Sequence, residues 1–217
     1  VRKWFTIQKG ILDNEVIKAK ALDYISKGYQ KLLTYEVKGE KGGYSLYGNS
    51  PAEPVITAFG LMEFKELSEV YEVDQNVINN MKEYLYKNQK TTGEFAYSST
   101  YIGNAQKTDK YAMNSYIIWA LSEADPKDTR LEKSIKYLEN NLDNISDEYT
   151  LALIANVFAN TSNKNLNEVI QRLSNDIKVH EKGSSYLSSN TVDYYGSYGK
   201  YQNIQATALT SIALSKA

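Results

Sequence analysis

Hydrophobic positions recur at helical spacing along almost the whole chain, and two kinds of apolar pattern take turns. The first is a narrow stripe among charges. It runs through Val16, Ile17, Ala21, Tyr24, Ile25, Gly28 and Leu32 in 14–35, then Val77, Ile78, Met81, Tyr84 and Leu85 in 76–89. It returns as Leu131, Ile135, Leu138 and Leu142 in 129–143, and as Leu166, Val169, Ile170, Leu173 and Ile177 in 164–178. Such spacing predicts helices that hide one face and show the other to water. The second kind is apolar almost all round: "VITAFGLMEF" (55–64), "NSYIIWALSEA" (114–124), "YTLALIANVFA" (149–159) and "NIQATALTSIAL" (203–214). A helix without a polar face must be covered on most sides, and its Ala, Ser, Thr and Gly let neighbouring backbones come close.

The order is striped, apolar, four times over. Pairs of this kind cannot bury their inner helices alone, so they must stack on one another. An open solenoid keeps its concave helices partly polar; these are too apolar for that. The pattern therefore predicts an all-α fold, an α/α toroid with the apolar helices inside, the striped ones outside, and the ring incomplete as the sequence stands. One domain over 1–217 is expected.

Three glycine-aromatic-serine clusters punctuate the chain: "GGYSLYG" (42–48), "TGEFAYSST" (92–100) and "GSSYLSSN" (183–190). Each lies between a striped helix and the next apolar one. Glycine supplies a positive-φ turn there, the aromatic residue fills the gap between pairs, and short hairpins can form, although no period-2 run predicts a real sheet. Between 143 and 147 the chain crosses without such a loop. Helix starts are expected at Thr129, whose spacing to Glu132 is that of a capping box, at Ser146 and at Asn163. Pro126 ends the helix before it.

Composition then narrows the chemistry. Charged residues are 24% of the chain and the formal charge is −1, with no basic block, so no electrostatic footprint for nucleic acid or an anionic membrane exists. No apolar run approaches the roughly 20 residues that span a bilayer. Cys is absent and His180 is the one histidine, which excludes disulfides, a Cys nucleophile, thiolate zinc and multi-His metal sites within this chain. Only three prolines occur, in keeping with a helical protein. The N-terminus "VRKWFTIQKG" has no signal-peptide pattern and reads as the end of a helix begun earlier, as in an excised fragment.

Several blocks, in order, resemble the thioester domain of the α2-macroglobulin and complement family. "SKGYQKLL" is similar to its K/R-G-Y helix, "GGYSLYG" to its G-[SG]-[FY]-S-x-[FY]-G loop, and "ITAF" to its T-A-[FY] inner helix. "YLYKNQKTTGEF", "NSYIIWALSEA", "DEYTLALIANVFA" and "NIQATALTSIALSKA" follow in register, so the resemblance spans nearly the whole chain. It implies an α/α toroid that shields a Cys–Gln thioester within a macroglobulin-like protease trap or complement-like protein, secreted, cell-surface or periplasmic. The implied partners are neighbouring macroglobulin-type domains, a target protease, or cell-surface amine and hydroxyl groups.

Departures matter as much. The G-C-x-E-Q thioester motif is absent and by register falls before Val1. The Trp usual before T-A-[FY] is replaced in "EPVITAF". The segment "YSSTYIGNAQKTD" (97–109) lacks the His that complement proteins carry there, which implies amine-preferring attack. The family's closing G-G-F-x-S-T-Q block is missing too.

No catalytic, cofactor-binding or metal-binding residue is assigned, and no complete catalytic constellation marks an enzyme. His180 is expected to face solvent or to cap its helix. Among the carboxylates of the turns (Glu36, Glu40, Glu53, Glu94, Asp109, Asp193), Glu53 and Glu94 lie at inner-helix entrances. They are the pair a carbohydrate-active toroid would use, a second reading. Gln89–Gly93–Phe95 matches a turn of terpene cyclases and prenyltransferases, but the D-x-D-D cluster and the Cys ligand those enzymes need are missing. A thioester-less protein-interaction domain is a third reading. The Tyr/Ser/Gly segment 185–203 is expected to be a flexible crossover.

Overall fold

The computed structural model describes residues 15–96, 109–180, 183–193 and 197–217. "VRKWF" and most of 97–109 lie outside them. The chain divides into two compact units, Val1–Lys87 and Asn88–Ala217.

The first unit contains α1 (Glu15–Leu33), α2 (Pro54–Leu67) and α3 (Gln75–Lys87). Pro54 opens α2 at a position where a missing N–H costs nothing. Val55, Ile56, Thr57, Ala58, Leu61 and Phe64 of this helix are buried. Against it α3 packs Ile78, Met81 and Leu85, three residues at the spacing of one face. Helix α1 is joined through Tyr29, whose ring meets Phe64 edge-on at 5.8 Å and whose hydroxyl accepts from the Asp74 backbone N–H at 3.2 Å. Burial of α1 is confined to that region. Val16 is 76% and Tyr24 61% exposed, so the first half of the expected stripe faces water.

The second unit contains α4 (Lys110–Ala124), α5 (Leu131–Asn141), a 3-10 turn (Leu142–Asn144), α6 (Glu148–Asn160), α7 (Leu166–Asn175), a hairpin of β1 (Lys178–Val179) and β2 (Ser185–Tyr186), and α8 (Lys200–Lys216). Here α6 packs on α4, α7 and α8. That is why ten consecutive residues, Tyr149 to Phe158, are buried. The striped helices do the opposite: α7 buries only Val169 and Leu173, and α5 packs on α4 through Leu131, Ser134, Tyr137 and Leu138. Within this unit apolar helices touch apolar helices and each striped one backs its neighbour, the layering the alternation predicts.

Four expectations need correction. Helix α8 is one-faced: Gln202, Ala206, Leu209, Thr210 and Ala213 point inward, but Ile204 is 65% exposed and Ile212 and Leu214 are also open to water. Thr129 does not cap α5. Asp128 accepts from the Arg130 N–H at 3.1 Å instead, because its carboxylate is also held by the Arg130 guanidinium at 2.8 Å. The cap of α6 is Asp147, not Ser146, with a carboxylate oxygen 2.9 Å from the Thr150 N–H. Helix α7 ends at Asn175, which leaves Ile177 outside it and exposed.

One end of this inner layer is tied by charge. Glu123 accepts hydrogen bonds from the Lys216 ammonium, from Trp119 Nε1 at 2.7 Å and from Asn160 Nδ2 at 2.9 Å, so α4, α6 and α8 share one carboxylate. Desolvation pushes Glu123 up, but the bonds from Lys216, Asn160 and Trp119 outweigh it and hold its carboxyl below the ordinary value. A depressed carboxyl stabilises the fold above its unfolded pKa and stops doing so as the pH falls through its folded one. Lys216→Met is therefore expected to cost about 1 kcal/mol at neutral pH, with the difference from wild type fading on acidification below the ordinary glutamate range. Urea denaturation of both proteins across that range checks it; a pH-independent difference would mean that only packing was lost.

Candidate functional site

The glycine-aromatic clusters are hairpins that precede inner helices, and each is fastened the same way. In the first unit Glu36 and Tyr44 form an isolated antiparallel bridge, and the buried Tyr44 gives its backbone N–H to Thr57 Oγ1 of α2 at 2.9 Å. In the second, Gln89 pairs with Phe95, and the Phe95 N–H goes to Asn114 Oδ1 of α4 at 2.6 Å. After the β1–β2 hairpin, Leu187 gives its N–H to Thr207 Oγ1 of α8 at 3.0 Å. A polar side chain, one turn inside α2 and α4 and two turns inside α8, thus takes the amide of a buried apolar residue.

Glycine makes two of these seats possible. Gly42 (φ +77°) lies against the α3 backbone at Asn80 and Met81, and Gly93 (φ +93°) against the α5 backbone at Lys133 and Ser134. Any Cβ would overlap the facing carbonyl. Ser134 closes the second seat, donating to the Gly93 carbonyl at 2.6 Å and accepting from Gln89 Nε2 at 2.8 Å. Gln89, Gly93 and Phe95 therefore form a structural joint. The crossing at 142–147 is held differently: Arg172 donates to the Leu142 and Ile145 carbonyls, and Asp147 accepts from the Ser189 hydroxyl at 2.6 Å.

The turn carboxylates are mostly engaged in the same work. Glu36 accepts from the Gly42 N–H, Glu40 from Ser50 and Ala52, Asp109 caps α4 at Tyr111 and Ala112, and Asp193 accepts from Ser197 and Gln205. Glu94 is bound by Lys90 at 2.7 Å. Glu53 is only 2% exposed, which closes it to a polysaccharide. Burial lifts its carboxyl from 4.5 to about 7. A sugar-cleaving pair needs two accessible carboxyl groups flanking the bond, and these two do not supply it. His180 lies in the β1–β2 turn, five residues past the end of α7 by numbering, and is exposed, as expected. The joint residues Thr57, Asn114 and Thr207 carry no sequence signal beyond being polar within apolar runs, and Ser134 is one polar residue among others of a striped helix.

Arranged this way, the described residues bury apolar helices and anchor the hairpins that precede them. Comparison with known proteins agrees. The family model described as "A-macroglobulin TED domain" matches residues 5–213. This chain belongs to that α-macroglobulin thioester-domain (TED) family. Ovostatin of Gallus gallus is 31% identical over 185 residues, covering 82% of this chain and 12% of its own length. Among solved structures, an Escherichia coli α2-macroglobulin fragment from domain MG7 to the C-terminus is similar with a TM-score of 0.56 at 16% identity, over 86% of this chain and 30% of that one. Salmonella α2-macroglobulin reacted with methylamine gives 0.53 at 18% identity, over 85% of this chain and 12% of that one. The fold is the α/α toroid of that domain. The chain thus spans about one eighth of ovostatin, and among its described residues no helix is long and apolar enough to cross a membrane.

Proposed function

We propose that residues 1–217 form one thioester-type domain that shields and positions a Cys–Gln thioester supplied from before residue 1. The observation that carries this reading is the family match running unbroken from residue 5 to 213. The buried inner helices and fastened hairpins support it, because a thioester survives only where water is kept out. The parent chain would be a macroglobulin-like protease trap, secreted or exposed at the cell surface or in a periplasm, in which neighbouring macroglobulin-type domains hold the toroid until a protease cuts elsewhere.

An amine would then attack the thioester carbonyl. A C–N bond forms, the C–S bond breaks, and the departing Cys sulfur takes the proton the amine loses. The sequence 97–109 contains no histidine to redirect the acyl group to hydroxyls, which favours an amine on the target protease as acceptor. The domain itself does not turn over.

Full-length parent protein treated with methylamine is expected to take up about one equivalent and release about one thiol, as a single thioester requires. Absence of both, with a correctly folded domain, would reduce the chain to an interaction module.

A further inference from the structure

Among the described residues, Glu53 combines near-complete burial, at 2% exposure, with two carboxyl oxygens that have no hydrogen-bond partner. It occupies the N-cap position of α2 in an extended conformation (φ −111°, ψ 121°) yet makes no side-chain cap bond. Its backbone is fixed on both sides. The N–H donates to the Tyr44 carbonyl at 2.8 Å, and the carbonyl accepts from the Thr57 N–H at 2.8 Å. The preceding Ala52 accepts from the Tyr84 hydroxyl of α3 at 2.8 Å and donates to Glu40 at 3.2 Å. Gly43 is wedged between Ala52 and the Tyr84 ring, with no room for a Cβ. Hairpin, α2 and α3 therefore meet at the Ala52–Glu53 backbone, from which this carboxyl projects.

Burial is what acts on the Glu53 carboxyl; the lysines of the same elements are Lys38 and Lys41 in the hairpin segment and Lys87 on α3, all exposed, with Lys65 on α2 and Lys82 on α3 half-buried. Of the acidic and phenolic groups facing the joint, the hairpin contributes Glu36, Glu40 and Tyr44, α3 contributes Tyr84, and α1 contributes Tyr29; Glu40 and Glu53 both act on Tyr84, Glu36 and Tyr29 on Tyr44. On α2, Glu63 and Glu66 lie further along the helix and are again acidic. A buried carboxylate without a partner or cation is costly, so the group stays neutral where it is or leaves to ionise.

We propose that Glu53 is a proton-operated latch for the 36–53 segment: neutral, it stays seated and holds hairpin, α2 and α3 together; ionised, it moves to water and draws Ala52 and the hairpin from their seat. Burial sets the working range, raising the carboxyl from 4.5 to about 7. The closed form binds the proton more tightly than the open one, so closure is strongest below the ordinary glutamate pKa. It weakens as pH rises toward the folded value and stays weakened above it. The latch goes beyond the thioester reading and does not depend on it.

Amide hydrogen exchange on the full 217-residue chain tests it. After correction for intrinsic exchange, protection of the Tyr44, Glu53 and Thr57 amides is expected to fall about tenfold between about pH 6 and about pH 8.5, the change a carboxyl shifted this far imposes. In Glu53→Gln, which keeps shape without charge, that fall is expected to vanish. An equal fall in the variant, or none in wild type, overturns the latch. Carbon NMR of the Glu53 carboxyl gives a second reading should the variant not fold: a midpoint near neutrality supports the latch, and one in the ordinary glutamate range overturns it.

Discussion

Gly93→Ala is expected to destabilise the protein by about 3 kcal/mol or more, whereas Gly183→Ala costs about 1 kcal/mol. Both glycines hold a positive φ, +93° and +80°. Both alanines therefore carry the same left-handed backbone penalty, of order 1 kcal/mol. What differs is the space. At Gly93 a Cβ would overlap the Lys133 carbonyl and stand 2.9 Å from the Ser134 nitrogen, both α5 backbone atoms that cannot swing aside, while at Gly183 nothing lies within 4 Å. Room can be made only by lifting the hairpin off α5, which also breaks the Ser134 bond to the Gly93 carbonyl and strains the Phe95 bond to Asn114. Urea midpoints for the two variants separate strain from collision. Losses of equal size would mean that the hairpin is not seated on the helix at all.

That contrast also marks how far the sequence could be read. The alternation of striped and apolar helices was legible because it follows from burial summed over whole elements, and a sum over ten or more residues tolerates individual exceptions. The four inner helices fall where the apolar runs predict. The exceptions are local. Thr129 had the spacing of a cap, yet Asp128 took the amide because Arg130 folds back on it. Ile204 and Leu214 gave α8 an all-apolar look, but apolar content reports what a helix could bury, not what a neighbour covers.

The glycine clusters could be read as turns. Their real work, a buried amide passed to Thr57, Asn114 or Thr207, could not, since the partners stand 13, 19 and 20 residues downstream with no fixed spacing. Glu53 and Glu94 were picked out by position alone. Position did not reveal that one is shut inside the protein and the other is held by Lys90.

Phe158→Ala is expected to lower stability by about 3 to 5 kcal/mol, and Phe59→Ala by roughly 1 kcal/mol or less. The two phenylalanines occupy helices of the same apolar kind, so sequence pattern gives no reason to separate them. Structure does: Phe158 on α6 is 0% exposed, while Phe59 on α2 is 41% exposed. Deleting a ring already half in water loses little transfer free energy and leaves no cavity. Deleting one that is fully buried on α6 leaves a void in a helix packed on α4, α7 and α8, and the Glu123–Lys216 tie between α4 and α8 helps keep that void from collapsing fully. If α6 is the hub of the second unit, the ratio of the two losses should exceed threefold in urea denaturation. Comparable losses would place α6 at a surface, and the shielded interior on which the thioester reading rests would go with it.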